Sequence, residues 1–308
     1  MHRSVTISAP STETEALVAA LEPLDEVVSL SVERGASVKP PGDVITVHCL
    51  NRGASDVLSI AEAAHEGGGV SIATGDLASL VDREHAEEIV KDTDEATWEE
   101  TEVGLRHQSR PTHNYLLLML AGGAVGATGF FSTPPTQTIA FVSASVIAPG
   151  FEPLAKVPLA LVLRRWTLLW RGLRSALLGY LLIALAAGLA YILLEATGAT
   201  TLKNFVGNKE IDKLSNPTSL DVLVSSAAAV AGVIMVTSRR FALLAGPLMA
   251  LALIPSAAMV GVAAALANAK LVGRGLERLG LDVALIFAFG VVVAGLKQAA
   301  VHRRRPLE

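Results

Sequence analysis

Six apolar stretches follow residue 112, at about 114–131, 136–163, 175–194, 219–237, 241–267 and 281–297. A helix needs about 17–25 apolar residues to cross the hydrocarbon of a bilayer. In lipid every backbone amide must find its partner inside the protein, which restricts such stretches to helices. The sequence therefore predicts an all-α polytopic membrane domain of about six helices over 113–300. Leu, Ala, Val and Gly dominate these stretches. Only 18% of the chain is charged, against about 25% in a soluble protein.

The first 112 residues are a different material. They hold 8 Lys and Arg against 21 Asp and Glu, while the remainder holds 17 against 8. This acidic head excludes a nucleic-acid binder built on it. One cysteine, Cys49, excludes an intrachain disulfide framework and a cysteine-based zinc site. The seven histidines offer no i, i+4 metal pair, and no nucleophilic triad or nucleotide loop is present. No enzyme activity, catalytic residue, metal or cofactor is expected.

Residues 1–80 read as an α+β sandwich. Residues 3–8 alternate as a strand. Thr12 and Glu15 have capping-box spacing and open a helix to Leu21. Strands follow at 26–32 and 43–49, joined through Lys39-Pro40-Pro41-Gly42, then a helix over 55–64 and a strand over 70–73. The glycines at 67–69 read as a helix stop. The order βαββαβ is ferredoxin-like. Residues 81–112 read as an acidic helical linker, with ten acids over 82–102 against Arg83 and Lys91. Residues 301–308 form a basic tail containing Arg303–Arg305.

The polar head holds no cleavable leader, so the amino terminus is expected to remain in the cytoplasm. Stretches then assigned to the inner side hold twelve cations: Arg106, Arg110, Arg164, Arg165, Arg171, Arg174, Arg239, Arg240, Lys297 and Arg303–Arg305. The outer loops hold six: Lys203, Lys209, Lys213, Lys270, Arg274 and Arg278. This bias predicts a multi-pass protein of the cell (inner) membrane with both termini cytoplasmic.

The spans form two sets of three, about 114–194 and 219–297. Asn114 to Ser219 is 105 residues, Pro149 to Pro255 is 106, and Arg171 to Arg274 is 103. An odd number of spans turns the second copy upside down, so the expected plan is a 3+3 inverted repeat. The second span is interrupted by Ala148-Pro149-Gly150-Phe151-Glu152-Pro153. The fifth carries a milder interruption at Leu253-Ile254-Pro255-Ser256, with Gly246-Pro247 near its start. Matched interruptions point to a binding site. The candidate binding residues are Glu152, Ser143, Ser145, Pro149, Gly150, Pro255, Ser256 and Ser225, with Lys156 as an ion-pair partner one turn beyond Glu152. A carboxylate at membrane depth marks function by default. The competing reading makes Glu152 and Lys156 a structural pair and Pro255 a kink. Asp221 reads as a helix cap after Asn216-Pro217-Thr218. Asp282 reads as a residue in interfacial water, and the arginines after the second span as anchors at the phospholipid level.

Several runs resemble the DUF389 family of uncharacterised hydrophobic membrane proteins. These are Ala96-Thr97-Trp98-Glu99-Glu100, Ser109, Tyr115 to Met119, Val146-Ile147-Ala148-Pro149 with Pro153, and Arg171 to Leu178. Glu210-Ile211 with Pro217 and Asp221, and Leu253-Ile254-Pro255 with Gly261, complete the resemblance. Phe151-Glu152, Ser256 and Asp282 depart from the family pattern. The resemblance implies a membrane fold and no reaction. The functional expectation is a secondary transporter of a small solute or ion, with an oligomeric channel or a non-transporting scaffold or sensor as alternatives. Expected partners are the bilayer, the solute and further copies of the chain, with no nucleic acid.

Overall fold

A computed structural model of the chain describes residues 2–65, 69–108, 110–201, 205–238 and 242–302, and the side chains at 65, 108 and 242–251 are outside that description. Gly67, Gly68, Ser109, Lys203, Arg239, Arg240 and Arg303–Arg305 lie outside the described residues, as do the side chains of Gly246-Pro247. The chain divides into two units, Met1–Glu99 and Glu100–Arg303.

The first unit is built on β1 (Arg3–Ala9), α1 (Ser11–Leu21), β2 (Val27–Val38), β3 (Pro41–Cys49), α2 (Ala54–His65) and β4 (Ser71–Asp76). Its antiparallel sheet has the order β2-β3-β1-β4. Alternation does the folding. Val5, Ile7 and Ala9 of β1 and Ile45, Val47 and Cys49 of β3 point one way and are buried with Leu17, Leu21, Val57, Leu58 and Ala61 of the helices. Burial pushes the Cys49 thiol up to about 12.

The capping box expected at Thr12 is absent, because α1 starts at Ser11 with Pro10 as its cap. The first-turn hydroxyls turn instead to Asp43 of β3. Ser11 and Thr14 each donate to its carboxylate at 2.8 Å, as does the Gly35 amide, and Arg34 adds a contact at 3.2 Å. Next to Asp43, Gly42 has φ +150°, and a Cβ there would lie 2.0 Å from the Ala9 oxygen, so only glycine fits.

The acidic stretch is not one helix. It forms α3 (Ala86–Val90) and α4 (Trp98–Gln108), separated by a segment fastened to the first unit's own loop. Asp92 accepts the Asn51 amide at 2.7 Å, and the Asn51 side chain donates to the Glu95 oxygen at 2.6 Å.

The second unit is helical. It contains α5 (His113–Gly129), α6 (Pro134–Ile147), α7 (Phe151–Val162), α8 (Trp166–Ala196), α9 (Lys209–Ser215), α10 (Ser219–Thr237), α11 (Ala242–Ala265) and α12 (Ala269–Lys297). Among the described residues, α8, α10 and the run Ala269–His302 are long and apolar enough to cross a membrane. The pair α6–α7 is bent by 52°, as a broken span or a re-entrant loop is, and makes up to four spans when taken as one. On α8 the apolar residues Leu173, Leu177, Leu181, Leu185, Leu189 and Leu193 are exposed at four-residue spacing, a lipid-facing stripe. Exposed Trp166 and Trp170 stand at its start.

Helices α5 and α8 run in the same direction. The Tyr115 hydroxyl donates to the Ser175 oxygen at 2.9 Å, a Cβ on Gly123 would meet the Ile183 oxygen at 2.4 Å, and Phe131 stacks on Tyr191 at 5.7 Å. The turns α7–α8 and α11–α12 share one form. Arg164 (φ 58°) and Ala267 (φ 52°) are left-handed residues where glycine is usual. The amide after each reaches back five residues, Arg165 to the Ala160 oxygen and Asn268 to the Ala263 oxygen.

Two readings of the sequence change here. Arg171, Arg174, Arg274 and Arg278 belong to the long helices α8 and α12 rather than to flanking segments or loops. The interruption expected at Pro255 is absent, for α11 is helical from end to end. A lone proline removes one hydrogen bond and leaves the helix intact when Ile254 before it keeps a helical conformation. At Asp221 the cap forms as read, since Thr218 and Asp221 make a reciprocal capping box.

The Asp43 network makes the first unit acid-labile. Its hydrogen bonds, the Gly35 amide first, hold the carboxyl at about 2, below its ordinary 3.8. A value lowered by folding stabilises the fold above pH 3.8, and that contribution disappears as pH falls toward 2. Hydrogen exchange of the β3 amides in the full chain is expected to accelerate across that window, and Asp43→Asn is expected to remove this acid-dependent step while raising exchange at neutral pH.

Candidate functional site at the break in the second span

Pro149 disfavours a helical conformation in the residue before it. Ala148 is accordingly extended, with φ −86° and ψ 118°, and α6 ends at Ile147. Helix α7 restarts after Gly150, and Pro153 falls in its first turn, where no amide is needed. The gap is clamped from three sides. Tyr180 of α8 donates to the Gly150 oxygen at 2.9 Å. A Cβ at Gly150 would lie 3.1 Å from Ile254 of α11, and one at Gly122 of α5 would lie 2.5 Å from the Ala148 methyl. Phe151, Leu253, Ile254, Ala257 and Ala258 around it are fully or almost fully buried. The break is closed by packing.

Glu152 is the first polar group beyond the break. It is half-buried, and its Oε2 is enclosed with no hydrogen-bond partner. Lys156, one turn on, is 2% exposed, yet no ion pair joins it to Glu152 among the described residues. The structural-pair reading is corrected on this point. Ser145 and Ser256 are buried and donate to carbonyls of their own helices, Phe141 and Ala252, at 2.8 Å each. Ser143 and Pro149 are half-buried. Gly150 and Ile254 bring the break beside the Pro255 region, while Ser225 lies elsewhere, with α12.

Two cavities approach this packed layer. One, of about 540 Å³, is lined by Lys156 of α7, Arg171, Arg174 and Ser175 of α8, and Arg106 and Arg110. The other, of about 700 Å³, is lined by Lys213 of α9, Asp221 and Ser225 of α10, Leu253 of α11, and Arg278 and Asp282 of α12. They enter at opposite ends of α8. The first lies where α8 begins, beside the Tyr115–Ser175 contact. The second includes α9, whose preceding residue Asn208 donates to the Phe130 oxygen at 2.8 Å, at the end where Phe131 meets Tyr191.

The second cavity contains a pair the sequence reading missed. Arg278 Nε lies 3.1 Å from Asp282 Oδ2, and Arg278 Nη2 donates to Ser225 Oγ at 3.0 Å. Asp282, expected in interfacial water, is 2% exposed because α12 starts at Ala269, twelve residues before its apolar stretch, and carries Asp282 inward. The i, i+4 spacing of Arg278 and Asp282 was the signal available.

The comparisons with known proteins agree with the helical unit. A family model described as a domain of unknown function (DUF389) matches residues 145–288, a range that includes the break, Arg278 and Asp282. No curated protein and no solved structure matches the chain.

Removing one member of a buried ion pair leaves the other uncompensated, at about 3–5 kcal/mol. Arg278→Met is expected to lower the detergent-solubilised protein's stability by about that much, and adding Asp282→Leu is expected to recover most of the loss, read as a double-mutant cycle.

Proposed function

We propose, for a chain that belongs to the DUF389 family through residues 145–288, an alternating-access transporter of a small solute or ion. One observation carries this reading: two cavities enter the helical unit toward opposite ends of α8, one lined by Lys156, one turn beyond Glu152, and the other by Leu253 beside the break. A carrier needs a site reached from each side in turn with a barrier between. The break supplies a joint about which α7 can move against α6. The unpartnered Glu152 oxygen supplies a group to hold a cation or a proton.

The reading includes a 3+3 inverted repeat, supported by contacts that recur 103 residues apart. The left-handed Arg164 corresponds to Ala267. A Cβ on Gly172 would meet the Pro153 oxygen at 3.1 Å and Val157 at 3.2 Å, and one on Gly275 the Ser256 oxygen at 3.4 Å and Val260 at 2.8 Å. Gly290 packs on Pro158 of the other set, as Gly188 packs on Gly261. The bent pair starts 108 residues before α11 and ends 103 before it, so the break is extra chain in the first copy alone. The order β2-β3-β1-β4 supports a ferredoxin-like plan for the first unit. The cationic first cavity supports a cytoplasmic position for that end in the cell membrane.

The test is access. In a Cys49→Ala background, Ser175→Cys is expected to react with a membrane-impermeant maleimide from one side of oriented vesicles, and Ser225→Cys from the other. Labelling of both from the same side overturns the reading. Glu152→Gln is expected to change stability by less than about 1 kcal/mol, where a paired buried carboxylate would lose about 3–5 kcal/mol, and to shift which of the two cysteines reacts faster.

A further inference from the structure

The first cavity is a concentration of positive charge without its counter-charge. Arg106, His107, Arg110, Lys156, Arg171 and Arg174 all face its 540 Å³, and no carboxylate lines it. The nearby acid is Glu102 of α4, and it is engaged with Arg106 and with Arg165 at 3.8 Å. That leaves the side chains of Arg110, Lys156, Arg171 and Arg174 with no hydrogen bond or ion pair among the described residues. Lys156 is the telling member. The residue is 2% exposed, its stem is packed away, and its ammonium end lines this cavity, where a charge in so enclosed a place is favoured by an anion against it.

The cations come from three separate parts of the unit. Arg106 and Arg110 precede α5, Lys156 sits one turn beyond Glu152 on α7, and Arg171 and Arg174 lie within one turn of each other on α8. Tyr115 ties the start of α5 to Ser175, and Gly172 lets α8 approach Lys156 and Pro153, so the groups are held by packed helices rather than by a loose tail. Guanidinium forks offer paired donors to two oxygens of one group, and an ammonium adds a point charge. Several forks converging with an ammonium suit a group bearing three or four oxygens and more than one charge better than a single carboxylate.

We infer that this cavity binds a phosphate-bearing anion through Lys156, Arg171, Arg174 and Arg110. The volume holds a phosphate together with part of what it is attached to. The phosphate can belong to the headgroup of an anionic lipid or to a soluble phosphate compound. The inference does not rest on transport, because it concerns occupancy at equilibrium.

The test is thermal unfolding of the full-length protein in nanodiscs at matched ionic strength. Zwitterionic phosphatidylcholine discs are compared in chloride and in inorganic phosphate, and discs containing phosphatidylglycerol are compared in chloride. A rise in the midpoint of about 3 °C or more is expected from at least one of the two phosphate sources. A rise with phosphatidylglycerol alone assigns the site to a lipid headgroup, and a rise with inorganic phosphate assigns it to a soluble anion. Arg171→Gln with Arg174→Gln is expected to abolish the rise, while Arg274→Gln, an exposed arginine 3.5 Å from Glu277, keeps it. If the double variant gives no cooperative transition, Lys156→Met takes its place, exchanging the cavity-lining ammonium for an apolar chain of similar length. No rise with either source, or a rise that survives these substitutions, overturns the inference.

Discussion

The steric conflict between Pro149 and a helical Ala148 organises the helical unit. It ends α6 before the span is complete, exposes backbone groups that lipid would not tolerate, and obliges the neighbours to cover them. Tyr180 meets the Gly150 oxygen, Ile254 fills the space beside it, and Gly122 admits Ala148. Glu152 follows the break by two residues and inherits its enclosure. Each of these partners comes from a different helix, so one backbone irregularity fixes the mutual placement of α5, α7, α8 and α11.

Close contact between helices does the remaining work. Apolar side chains gain nothing by leaving lipid for another apolar surface, so association depends on packing through small residues. Gly123 against Ile183, Gly188 against Gly261 and Gly290 against Pro158 are such places. Of the polar residues that remain inside, Arg278, Asp282 and Ser225 are held in a partnership, Lys156 faces a cavity, and Glu152 keeps one enclosed oxygen without a partner. The charge of the unit is therefore spent unevenly: a neutralised pair in the second cavity and an unneutralised cluster in the first.

Local patterns made the elements legible. Alternation located the strands of the first unit, and apolar length located the helices of the second, because both depend on short-range periodicity. The Thr218–Asp221 cap was readable for the same reason. The Thr12 cap was not, since Asp43, thirty-one residues on, competes for the hydroxyls of that turn. Helix extent was misjudged where charges continue an apolar helix: α8 and α12 each begin with a basic turn or two that composition alone assigns to flanking segments. Pro255 was overread because a proline alters a helix only as far as its neighbours permit.

The sequence by itself determined that this chain is an acidic α/β unit joined to a bundle of apolar helices, and that the second span is interrupted at Pro149. These follow from steric and hydrophobic rules acting over a few residues. The tertiary structure decided that Glu152 and Lys156 do not pair, that Asp282 is buried with Arg278, and that five cations from three parts of the unit surround one cavity. Such outcomes depend on which helix faces meet, and residues fifty or more positions apart, such as Arg106 and Lys156, share a site only after the helices have packed.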